Sequence, residues 1–144
     1  MILKITLTGL KDYQKELLYA DLGYFKASIK KNLIEEVEKY GSDRNLLFKL
    51  AKISSKINPL VDISQIQQVL QAYTKINYVD YSIKEYEKKL EITLEINDLI
   101  FELQKYTGLL KNVFGLDKKQ FINKLIKEIN EEYHTKPIIE VIQE

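Results

Sequence analysis

The sequence holds no cysteine, no tryptophan, one histidine, one arginine, two prolines and five glycines in 144 residues. Each shortage excludes something. Without cysteine there are no disulfides, no thiolate metal sites and no cysteine nucleophile. With His134 as the only histidine, a His-rich metal site is impossible and a histidine-centred triad has one place to form. His134 lies near the end of a polar helix face, beside Glu131 and Glu132, where a surface histidine complements the helix dipole. No G-x-x-x-x-G-K-[ST], G-x-G-x-x-G or G-x-S-x-G motif occurs. These shortages point away from an enzyme, and no catalytic residue, cofactor or metal is expected. No apolar run approaches the roughly 18 residues of a membrane span. The first eight residues alternate apolar with polar and do not form a signal peptide. The expected compartment is therefore the cytoplasm, with no membrane partner.

Composition is that of a globular chain. Hydrophobic residues make up 45% and charged residues 30%. Twenty-two basic groups against 21 acidic ones leave a net charge of +1, which points to neither nucleic acid nor a membrane surface. Arg44 apart, every long basic residue is lysine, and isoleucine, asparagine and tyrosine are abundant. That usage follows AT-rich codons and fits a low-GC bacterium or one of its phages or plasmids.

Sparse glycine and proline favour long helices over many short strands. Leu3-Lys4-Ile5-Thr6-Leu7 alternates with period two and reads as a strand ending at Gly9. Asp12 is the expected cap of a long first helix, with Leu18, Leu22, Phe25, Ile29, Leu33, Val37 and Tyr40 as its apolar stripe and Gly41 as its stop. A second helix is expected from about Arg44 to Ile57, and a third after Asp62, with Gln65 closing a capping box. A fourth is expected from the Ser82 cap to Gly108. Its middle is ambiguous, because Leu90, Ile92, Leu94 and Ile96 alternate as in a strand. On a helical wheel the acidic residues segregate into one wedge, and that segregation favours the helix. A fifth helix opens on an Asp117 cap and ends at Pro137, before a β-branched tail over 138–142. The expected architecture is a mainly α single domain over residues 1–144: a bundle of about five helices, with short terminal strands paired as a two-stranded ribbon or offered as open edges to another chain. The opening Lys4-Ile5-Thr6-Leu7-Thr8-Gly9-Leu10 ahead of a long helix resembles the start of small phage head–tail proteins over those residues alone, too few to carry anything over.

Two charged constellations stand out. On the expected fourth helix, Glu87, Glu91, Glu95, Asp98 and Glu102 form an acidic stripe. Its functional reading is a docking face for a protein partner; its plainer reading is the solvated face of a buried helix. Lysines gather at Lys26, Lys30 and Lys31, and again at Lys119, Lys124 and Lys127, with tyrosines among them. This suggests contact with nucleic-acid phosphates, although neighbouring acids and a single arginine weigh against it. The function expected from these features is a non-enzymatic protein–protein interaction module: an assembly factor, adaptor or inhibitor, acting on a partner or by self-association into an oligomer. The alternative is a nucleic-acid-binding protein using its lysine-rich helix faces.

Overall fold

The computed structural model describes residues 1–39, 75–101 and 117–144. In chain order these form β1 (Ile2–Thr8), α1 (Asp12–Lys39), β2 (Val79–Glu85), β3 (Lys89–Ile96), α2 (Lys118–Tyr133) and β4 (Ile138–Gln143). The four strands make one sheet in the order β2-β3-β1-β4, with every neighbouring pair antiparallel. The described elements, β-α-β-β-α-β with this strand order, form the split β-α-β, or ferredoxin-like, arrangement.

This overturns the mainly α reading. The chain is not a five-helix bundle, and its terminal strands are not a lone ribbon: β1 does pair with β4, but inside a four-stranded sheet. The expected fourth helix is replaced over most of its first half by β2 and β3. The cause lies in a degenerate spacing. Residues four apart share a face on a strand as well as on a helix, so Glu91 and Glu95 cannot tell the two apart. The decisive signal is the alternation of Leu90, Ile92, Leu94 and Ile96, all buried, with Lys89, Glu91, Thr93 and Glu95 on the other face. The expected second and third helices, Gly41 and Gly108 lie outside the described residues.

The core follows from period two in the strands and from 3.6 in the helices. Leu3, Ile5 and Leu7 of β1 stand directly opposite Leu94, Ile92 and Leu90 of β3, all of them buried. α1 lays Leu18, Ile29 and Leu33 on this layer, and α2 adds Phe121, Ile129 and Tyr133. Asp117 caps α2 as expected: its Oδ1 accepts from the Gln120 amide at 2.8 Å. Asp12 is instead the first residue of α1. The cap contact there is made by Gln14, whose Oε1 accepts from the Lys11 amide at 2.9 Å.

The connections divide by length. At one end of the sheet they are short: β1 turns into α1 through Gly9, at φ +74°, and residues 86–88 join β2 to β3. At the same end α2 passes to β4 over residues 134–137, and Thr135 donates to the Thr8 carbonyl at 3.1 Å. Both long connections, from α1 to β2 and from β3 to α2, begin and finish at the opposite end, where the Asn97 amide donates to the Tyr78 carbonyl at 2.8 Å.

Candidate interaction surfaces

The strands scatter the acidic stripe. Glu87 sits in the β2–β3 turn. Glu91 and Glu95 project from the outer face of β3, opposite Thr6 and Lys84 in one case and Ile2 and Asp80 in the other. Glu91 lies 3.2 Å from Lys4 and 3.5 Å from Lys89. The Lys4 hydrogen bond holds its carboxyl below the usual range. Asp98 follows the strand and pairs with the amino group of Met1 at 3.0 Å and Lys118 at 3.4 Å. Partial burial disfavours its charge, but these two cations outweigh that and its pKa falls. Glu102 lies outside the described residues. Among the described residues, Glu87, Glu91, Glu95 and Asp98 do not share one face.

The lysines are also dispersed. Lys26 leaves α1 on the β2 side and donates to Asp80 at 3.0 Å. Lys124 belongs to α2, lines the cleft between the two helices and lies 3.9 Å from Glu128. Lys30, Lys31, Lys119 and Lys127 are exposed on two different helices. His134 ends α2 in the left-handed region, at φ 54°, and its amide donates to the Asn130 carbonyl. Among the described residues no three His, Asp or Glu gather as metal ligands, and no helix is long and apolar enough to cross a membrane.

The two sheet edges differ sharply. β2 is fringed with charge. Lys15 Nζ and Tyr19 Oη from α1 donate to Glu85 at 2.8 and 3.2 Å, and Lys26 reaches Asp80. The Lys15 hydrogen bond lowers the pKa of Glu85, and the Lys26 hydrogen bond lowers that of Asp80. Charged fringes of this kind are how natural sheets discourage further pairing. β4, the opposite edge, carries Ile138, Val141 and Ile142 at 68, 42 and 54% exposure, with Glu140 its only charge. Its register against β1 slips by one residue between Ile2 and Leu3, which leaves Ile142 as the extra residue of a bulge.

A third feature is a cavity of about 190 Å³ between α1, α2 and the sheet. Ile92, Leu94, Phe25 and Phe121 are among its apolar walls, and Asp21, Lys124, Glu128 and Glu132 stand among its lining charges. Tyr133 donates its hydroxyl to Asp21 there. Burial, then this hydrogen bond, drives the tyrosine pKa well above its ordinary value.

Comparison with known proteins finds no family model, no curated protein and no solved structure that matches this chain. The split β-α-β arrangement itself hosts many unrelated functions, so function has to be argued from these surfaces.

Proposed function

We propose that this chain is a non-enzymatic interaction module that takes an extended segment of a partner protein onto the outer edge of β4, which no described strand pairs. The observation that carries the reading is the contrast between edges. β2 is guarded by ion pairs, whereas β4 presents six consecutive residues with three exposed aliphatic side chains. An added strand gains main-chain hydrogen bonds along the edge, and the alternating side chains give it selectivity. A foreign strand fits better than a copy of β4 in the two-fold register centred on Glu140, which would set two carboxylates opposite each other.

The test is capture of the partner from the native host by the wild-type chain and by I138K and I142K, each of which puts a lysine on the edge. The variants are to keep the wild-type circular dichroism and lose at least about tenfold in affinity, a change of about 1.4 kcal/mol. Hydrogen exchange in the complex is to slow at β4 amides and not at β2. A partner held equally by the lysine variants, or no captured protein, ends the reading.

A further inference from the structure

Helix α1 has a second apolar face, away from the sheet, that is exposed over residues 13–34. Its first, carrying Leu18, Ile29 and Leu33, lies on the sheet. On the opposite side run Tyr13, Leu17, Ala20, Tyr24, Ala27, Lys31 and Ile34, at spacings of four, three, four, three, four and three. All seven are exposed; Tyr13, Leu17 and Tyr24 are so by 60, 54 and 76%. A solvated helix normally carries charge on this face. A 4-3 repeat sustained over seven positions is instead the seam along which two helices pack, here about 30 Å long at 1.5 Å per residue.

We infer that this face pairs with the same face of a second copy of the chain, the two α1 helices running antiparallel about a two-fold axis. Size and charge both select that register. Setting Tyr24 opposite Ala20 of the copy also sets Leu17 opposite its Ala27 and Tyr13 opposite its Lys31. Each large side chain then meets a small or flexible one, and two-fold symmetry repeats each contact. On the flank toward β2, the same register brings Glu16 to Lys30 of the copy, again twice, which is the pairing that flanking positions use to fix partner and direction. Gly23 lies on that flank between them, next to Tyr81, and adds no side chain to the seam. On the other flank Asp21 faces its copy, the one like-charge pairing in this register, against the two Glu16–Lys30 pairs; each of these carboxylates accepts its own Tyr133 hydroxyl. A parallel pair is worse: Lys31 would oppose Lys31, and Glu16 would approach Asp21. The dimer is a sandwich of sheet, two helix layers and sheet. It leaves β4 free at the far edge and stands or falls independently of strand addition there.

The test is solution mass by light scattering or sedimentation, up to about 100 μM, well above a micromolar Kd. The wild-type chain is to weigh twice its 17.0 kDa. L17E and Y24E, both at exposed positions, are to be monomeric with unchanged circular dichroism. E16K alone and K30E alone are each to weaken the dimer by about five-fold, as the loss of two exposed ion pairs would. The double variant E16K/K30E is to restore it. Because the chain has no cysteine, direction can be read chemically. A mixture of L17C and A27C chains is to cross-link faster than either chain alone. A monomeric wild type, a dimer that survives L17E and Y24E, or L17C linking best to itself would each overturn the proposal.

Discussion

Leu3 and Leu94 are direct cross-strand partners on the inward face of the sheet, and both are fully buried. Replacing either by alanine removes the same atoms, so a transfer argument predicts equal losses. The structure predicts unequal ones. Leu94 lines the cavity of about 190 Å³ and Leu3 does not. A side chain beside an existing void already lacks part of its dispersion contacts, and its removal enlarges a hole instead of opening one in close packing. Large-to-small changes in cores cost about 2–5 kcal/mol, with the spread set by how the site closes. L3A belongs near the top of that range, about 4 kcal/mol, and L94A near the bottom, about 2 kcal/mol. With a urea m-value of about 2 kcal/mol/M, the midpoint falls by about 2 M for L3A and about 1 M for L94A. Far-ultraviolet circular dichroism and tyrosine fluorescence in urea report both, and equal m-values confirm that the denatured states match. Equal midpoints, or a larger loss for L94A, would refute the cavity as the cause. Losses below about 1 kcal/mol for both would refute the buried β1–β3 pairing itself.

Two further outcomes follow from single contacts. D117A removes the carboxylate that accepts from the Gln120 amide, and is to cost about 1 kcal/mol in urea unfolding while D117S recovers most of it; an unchanged midpoint in D117A refutes the cap. Glu85, whose carboxyl the Lys15 hydrogen bond holds below its ordinary pKa of 4.5 in the folded state, contributes stability above that value and loses it as pH falls through the lower folded value. The urea midpoint of the wild type is therefore to fall on acidification below about pH 4.5, and E85Q is to flatten that fall. A pH profile that E85Q leaves unchanged would show that the Lys15 contact carries no weight.

Some of this architecture is legible in the residues and some is not, for reasons that can be named. The inward stripe of α1 from Leu18 to Leu33 and the Asp117 cap are local patterns, with partners within a few positions, and the structure contains both; Val37 and Tyr40, expected to continue the stripe, lie outside the described side chains. The 79–96 hairpin is not legible in the same way. Its turn, Tyr86-Glu87-Lys88, holds no glycine or asparagine, so the strongest short-range hairpin signature is absent. The Tyr86 amide donates to the Lys89 carbonyl at 2.9 Å, and the Lys89 ammonium sits 4.9 Å from the Tyr86 ring centroid, neither of which a residue pattern announces. With the hairpin read as helix, the acidic residues fall on one face; with it folded as strands, they divide among a turn, a sheet face and an ion-paired corner. The second face of α1 is written plainly in 4-3 spacing. It is overlooked because two alanines and a lysine dilute it, and because a helix is ordinarily granted one apolar side. Which strand edge carries a charged fringe depends on contacts between residues 54 to 70 positions apart, and no local rule supplies those.

The separation of short and long connections bears on how such a chain can vary. Three tight links hold one end of the sheet, where one added residue would have to be absorbed by a turn, a cap or a strand register. The other two links leave and return at the opposite end. Changes in length are therefore to be tolerated least among the three tight links, where each insertion meets a fixed register or cap.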